Sequence, residues 1–356
     1  MQLTTILPAE WHKQSFVQIT FPHSDTDWQP YLKEAEECFL NIAREILTRE
    51  DLLIVAPDVE IIKEKLKDKN VRYFQSQTND TWARDHAGIT IFRDGKPVIL
   101  DFKFNGWGLK FPADKDNLIT SQLFRHCGLD PQSQEKRDYQ KIAGQARNPN
   151  CYQYENKLNF VLEGGSIESD GKGTLLTTAE CLLSPNRNGE WNKQQIENYL
   201  IATFNLKRIL WLNHGYLAGD DTDSHIDTLA RFCPNDTIVY VKCEDENDKH
   251  FSELKKMEEE LQSFKTLNGK PYRLLPLPMA DAIYFEGERL PATYANFLII
   301  NAAVLYPTYN QPKNDEKVKA VLRKAFPDRE VVGIDCTALI KQHGSLHCVT
   351  MQFPAL

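Results

Sequence analysis

Short β-branched and aromatic runs alternate with helical stripes along this chain, and that alternation restricts it to the α/β class. The strand candidates are Phe16 to Thr20, Leu52 to Ala56, Gly88 to Phe92, Pro97 to Phe102, Thr174 to Thr177, Ile209 to Leu212, Thr237 to Cys243, Phe297 to Asn301 and Leu346 to Phe353. Between them, apolar residues recur at helical spacing. After Pro30 come Leu32, Ala35, Phe39, Ile42 and Ile46, and a second stripe runs Phe251, Leu254, Met257, Leu261 and Phe264. A third is Val318, Val321, Leu322 and Ala325, behind Asn314 as N-cap, and a further helix fits Trp191 to Phe204. No internal repeat is legible. The stretch from Cys127 to Asn150 is polar and aperiodic, with Gly128, Pro131, Gly144 and Pro149 as breakers. It reads as a surface insertion at 127–150 in one domain spanning 1–356.

Composition removes several function classes. The 356 residues carry a formal net charge of -8, and no Lys/Arg run stands out, which argues against a nucleic-acid partner. No apolar run approaches the roughly 18 residues of a membrane span. The start, Met1 to Pro8, lacks the basic and apolar regions of a signal peptide. The eight cysteines are scattered, with no Cys-x-x-Cys pair and no zinc-like Cys/His spacing. They read as reduced thiols in a cytoplasmic protein.

Chemistry concentrates in a few polar clusters. Cys348 sits in Gly344-Ser345-Leu346-His347-Cys348-Val349-Thr350, and a thiolate is a strong nucleophile once its pKa is lowered. His347 is adjacent, but in a strand neighbours face opposite sides, so His225 is the better partner. His225 and Asp227 are two apart and share a side in extended chain, fitting a general acid/base beside a substrate carboxylate. The bland alternative is an acidic loop in which Asp223 or Ser224 caps a helix. Glu163 ends the apolar run Phe160-Val161-Leu162 and precedes Gly164-Gly165. It is either a charged group that needs a partner, beside a close-approach site, or a solvated hairpin corner. Asp85 follows Trp82 and Arg84, suiting either a structural ion pair or a cation site walled by tryptophan. Trp107, in Asn105-Gly106-Trp107-Gly108, suits a buried core better, although the glycines suggest a loop near a cleft.

Taken together, the clusters resemble the agmatine deiminase family of the guanidine-modifying superfamily, which is related to arginine deiminase and the bacterial peptidylarginine deiminases. The matching stretches are Asn79-Asp80-Thr81-Trp82-Ala83-Arg84-Asp85, Asn105-Gly106-Trp107-Gly108, Leu162-Glu163-Gly164-Gly165-Ser166-Ile167, Asp220 to Asp227, Ala292 to Phe297, and Leu346-His347-Cys348. Ser224 stands where the family usually has Gly, and Gly344-Ser345 where it has Gly-Asn. The resemblance implies a five-bladed α/β propeller with diverged repeats, a central active site and no cofactor or metal. It implies Asp85, Glu163, His225, Asp227 and Cys348 as the catalytic and guanidinium-binding residues. The implied activity is hydrolytic deimination of agmatine, a small cationic guanidino substrate, through a covalent Cys348 intermediate. Asp220, Asp221, Asp223, Trp82 and Trp107 are candidates for the distal ammonium. A deiminase of free or peptide-linked arginine, and a non-catalytic guanidinium or polyamine binder, are the competing expectations. Homo-oligomerisation is left open.

Overall fold

The computed structural model describes residues 4–124 and 152–356; the insertion expected at 127–150 lies outside the described residues. Short strands assemble into six small sheets, and five of these share one wiring. Two antiparallel strands are followed by a helix and then by a strand parallel to the second. Ile89–Arg93 and Lys96–Lys103 pair in this way, the helix Asp116–Phe124 follows, and Gln153–Val161 lies parallel to Lys96–Lys103. Ile167–Ser169, Thr174–Thr178, the helix Lys193–Phe204 and Arg208–Leu212 repeat it. So do Ala230–Cys233, Thr237–Lys242, Phe251–Ser263 and Arg273–Pro278. Leu298–Ile300, Ala303–Thr308, Pro312–Ala325 and Glu330–Asp335 follow suit. The fifth unit joins both ends of the chain. Thr350–Pro354 pairs antiparallel with Gln14–Thr20, the helix Leu32–Leu47 follows, and Asp51–Ala56 returns parallel. The sixth sheet is the hairpin Tyr284–Phe285 with Glu288–Arg289.

Sequence chemistry accounts for the helices. Pro30 lies in the 3-10 turn Gln29–Tyr31, and Leu32–Leu47 then buries Ala35, Cys38, Phe39, Ile42, Ala43 and Ile46 on one face. Each large apolar side chain so removed from water contributes about 1.5–3 kcal/mol. Lys193–Phe204 opens on a capping box between Asn192 and Gln195 and ends at Asn205 in the left-handed region. No helix among the described residues is long and apolar enough to cross a membrane.

Two local expectations change. The third helix begins at Pro312, where the missing N–H costs nothing, and Asn314 lies inside it. The last strand begins at Thr350 rather than Leu346, and Cys348 occupies the turn before it. The backbone there is held by side-chain and turn contacts, not by a ladder. His347 N–H donates to Asn296 Oδ1 at 2.8 Å, and Arg84 N–H donates to the Cys348 carbonyl at 3.1 Å.

The recurring wiring positions the chemistry. A turn enters the first strand of each unit, and each turn carries one polar residue of interest. They are Asp85 before Ile89, Glu163 before Ile167, Asp227 before Ala230, Asn296 before Leu298 and Cys348 before Thr350.

Candidate active site

These five turns meet. Asp85 sits in the single helical turn Ala83–His86; its Oδ2 accepts from Trp107 Nε1 at 2.9 Å and its Oδ1 from Gly165 N–H at 3.0 Å. His225 lies between two carboxylates, with Nδ1 3.7 Å from Asp85 Oδ1 and Nε2 3.7 Å from Glu163 Oε2. Asp227 Oδ2 accepts from His347 Nδ1 at 2.7 Å and from Asn296 Nδ2 at 3.3 Å, while its Oδ1 is buried without a partner. Cys348 Sγ lies 3.4 Å from Asn296 Oδ1. Asp85, Glu163, His225, Asp227 and Cys348 are all buried. His225 and Asp227 do come together, although through the 3-10 turn Ile226–Thr228 rather than an extended strand. Gly165 leaves the middle open: a Cβ there would stand 2.6 Å from His225 Nδ1 and 2.9 Å from Asp85 Oδ1.

Burial and neighbouring charge set the protonation states. Burial pushes Asp85 up to about 6, with Asp227 and Glu163 adding to the rise and His225 opposing it. Burial alone would raise Glu163, but Arg187 and His225 hold it below the usual carboxylate range. Burial would also raise Asp227, and the His347 hydrogen bond outweighs it. His225 is the reverse case: burial disfavours its charge, yet Asp85, then Cys181 and Glu163, hold its pKa well above the ordinary imidazole value. The Cys348 thiol is pushed well up by burial, Asp227 and Asp85, against weaker help from the Ser345 backbone and Asn296. A cation seated between Asp85 and Asp227 would cancel two of these three causes and favour the thiolate.

A cleft of about 160 Å³ leads to this cluster, lined among others by Trp82, Asp85, Trp107 and Cys348. Asp27, Asp80, Asp220, Asp221 and His343 also line it, and no lysine or arginine among the described residues does. Of the ammonium candidates, Trp82, Trp107, Asp220 and Asp221 face the cleft. Asp223 does not; its carboxylate pairs with Arg187 at 2.6 Å and Lys110 at 2.5 Å. Asp223 and Ser224 both have positive φ, 60° and 61°. That conformation suits the glycine usual at position 224.

Several residues at the site escaped sequence reasoning. Arg187 Nε spans both Glu163 oxygens at 3.0 and 2.9 Å, and nothing in its local pattern marks it. Asn296 bridges Asp227 and Cys348, and only the Ala292 to Phe297 stretch hinted at it. His347 was set aside as a partner for the thiol; it serves Asp227 instead. Cys181 is a buried thiol in the short helix Ala179–Leu182, close to His225 and Glu163.

Comparison with known proteins shows the family of this chain. Residues 6–354 match the family model described as Porphyromonas-type peptidyl-arginine deiminase. A Listeria monocytogenes protein named "Putative agmatine deiminase 1" is 30% identical, over 98% of this chain and 96% of its own length. The crystal structure titled "Putative Arginine Deiminase from Porphyromonas gingivalis" superposes with a TM-score of 0.88 at 50% identity, covering 99% of this chain and 98% of that one. A C. jejuni agmatine deiminase variant with substrate bound gives a TM-score of 0.88 at 39% identity, covering 100% of this chain and 98% of the other.

Proposed function

Since the chain belongs to the Porphyromonas-type peptidyl-arginine deiminase family, we propose that it hydrolyses agmatine to N-carbamoylputrescine and ammonia through a covalent Cys348 intermediate. The observation that carries the substrate is the cleft itself. Its lining includes Asp27, Asp80, Asp220 and Asp221 as well as Cys348, and no lysine or arginine among its described residues. A distal ammonium finds acceptors there, whereas the α-carboxylate of arginine finds like charge.

In this reading Asp85 and Asp227 grip the guanidinium, fixing its plane and bringing its carbon to Cys348. The bound cation offsets their charge, so the thiolate forms as the substrate arrives. Cys348 Sγ bonds to the guanidinium carbon. The C–N bond then breaks, and protonated His225 gives its proton to the departing ammonia. Neutral His225 next takes a proton from water, whose oxygen attacks the thiouronium carbon; the Cys348 thiolate leaves as the C=O forms, and the remaining hydroxyl proton passes to solvent. Glu163, fixed by Arg187, holds His225 between the two steps. Trp82 and Trp107 wall the alkyl chain.

We further read the chain as one catalytic domain built as a five-bladed α/β propeller; the shared wiring of five sheets and their joint supply of site residues support it. A cytoplasmic location and a homo-oligomer belong to the same proposal. The decisive assay measures ammonia and N-carbamoylputrescine from agmatine, beside free arginine and an arginyl peptide, with Cys348→Ser as control. Cys348-dependent turnover of agmatine alone is expected. Preference for an arginine substrate would replace the specificity claim and keep the chemistry. No turnover of any would favour a binding protein.

A further inference from the structure

The proposed reaction leaves one thiol at the site without a task. Cys181 is fully buried, and its Sγ lies with a Glu163 oxygen and a His225 ring nitrogen such that all three are within 4.8 Å of one another. His225 turns Nδ1 to Asp85 and Nε2 to Glu163, and Nε2 is buried without a hydrogen-bond partner. Sulfur, imidazole and carboxylate together are the donor set of a thiophilic or borderline metal, not of magnesium or calcium.

We propose that Glu163, Cys181 and His225 form a binding site for a thiophilic divalent cation, zinc or cadmium, which inhibits the enzyme by occupying His225. The site is distinct from the nucleophile, since Cys348 supplies none of the three ligands.

Ligands about 2.0–2.3 Å from a tetrahedral zinc stand roughly 3.3–3.8 Å apart; His225 Nε2 and Glu163 Oε2, 3.7 Å apart, already meet this, and no pair in the group exceeds 4.8 Å. Arg187 Nε occupies one face of Glu163, and each carboxylate oxygen keeps a second lone pair for the metal. The carboxylates of Glu163, Asp85 and Asp223 exceed the Arg187 and Lys110 charges by one, and a Cys181 thiolate adds another, so a cation is electrostatically tolerated. Binding forms the metal–sulfur bond and releases the Cys181 thiol proton. His225 gives up its Nε2 proton as that nitrogen coordinates. With three protein ligands, the fourth position is left to water.

The inhibitory consequence rests on the deiminase reading, but the binding does not. The test therefore begins in Cys348→Ala protein, where the nucleophile cannot supply a thiolate. Cobalt(II) titration is expected to give a sulfur-to-cobalt charge-transfer band that is lost in Cys348→Ala/Cys181→Ser. Absence of the band from Cys348→Ala, or its survival in the double variant, overturns the proposal. Should the double variant not fold, Cys348→Ala/His225→Gln keeps the thiol and removes the nitrogen. Its cobalt affinity is expected to fall at least about tenfold, the lower end of what even an outer contact is worth to a metal site; unchanged affinity overturns the proposal. In otherwise wild-type protein, zinc is expected to inhibit agmatine turnover reversibly by chelator. Cys181→Ser is expected to be at least about tenfold less sensitive relative to its own uninhibited rate. Equal sensitivity would overturn the inhibitory role while leaving the cobalt result to decide the site.

Discussion

His347 Nδ1 stands 2.7 Å from Asp227 Oδ2, so the histidine beside the nucleophile serves a carboxylate and not the thiol. Burial, Arg231 and Arg84 push His347 below the usual imidazole range. A neutral ring has one N–H to give. The shortest contact takes it, and Nε2 then accepts from Arg231 Nη2 at 3.1 Å, with Glu10 Oε1 and Oε2 standing 2.9 and 3.0 Å away. Asp227 is thereby fixed with Oδ1 free.

Replacing His347 should therefore hurt substrate binding more than it hurts the thiol. In His347→Phe, kcat/KM for agmatine is expected to fall about 10- to 100-fold, the worth of a hydrogen bond to a charged group, mostly through KM. His347→Asn should recover part of the loss. Alkylation of Cys348 should persist in both. Loss in kcat alone, with KM unchanged, would contradict the role.

Much of this arrangement was legible and some was not. The helix Leu32–Leu47 announced itself because its buried face repeats at helical spacing. Both antiparallel strands were legible in two units, at Gly88 to Phe92 with Pro97 to Phe102 and at Leu346 to Phe353 with Phe16 to Thr20. In the other three one of the pair was missed: Ile167–Ser169, Ala230–Cys233 and Ala303–Thr308. Two parallel partners, Leu52 to Ala56 and Ile209 to Leu212, were legible; Gln153–Val161, Arg273–Pro278 and Glu330–Asp335 are largely part-exposed and read as mixed polar chain. With a strand missing from four of the five units the repeat disappears, which is why five similar sheets read as aperiodic alternation. The site residues were legible as clusters, since each lies in a polar turn before a strand. Their mutual geometry was not, because it arises from turns far apart in the chain.

The thiol of Cys348 should answer to its carboxylate neighbours in a defined direction. Asp227 and Asp85 both raise its pKa in the free protein. Removing a negative charge favours a thiolate, so Asp227→Asn is expected to lower the thiol pKa while turnover is lost. The pH dependence of iodoacetamide alkylation at Cys348 measures this directly. A thiol that titrates higher in Asp227→Asn than in wild type would remove the substrate-assisted account of the nucleophile.

In the proposed reaction Asp85 is expected to set the acid limb of activity. Its carboxyl titrates at about 6, raised by burial, and it must be ionised to hold a guanidinium. Activity is then present above that pH and declines as pH falls through it. Trp107 Nε1 donates to the ionised carboxylate at 2.9 Å and holds the pKa down. Trp107→Phe removes that donor, so the acid limb of kcat/KM should move to higher pH. A limb that stays in place or moves to lower pH would show that another group governs it.

Gly165 is a residue whose size the site constrains directly. A Cβ at this position meets His225 Nδ1 at 2.6 Å, Asp85 Oδ1 at 2.9 Å and Asp227 Oδ2 at 3.1 Å. All three are side-chain atoms, not backbone, and they can give way by rotating out of their present directions. Gly165→Ala is therefore expected to fold with a modestly lowered melting temperature. Agmatine turnover should fall by at least about 100-fold, because misplacement near 1 Å costs that much in a positioned reaction. Thermal melts and steady-state kinetics on the same preparation separate the two effects. An alanine variant with near-normal kcat/KM would mean that the guanidinium does not sit among His225, Asp85 and Asp227.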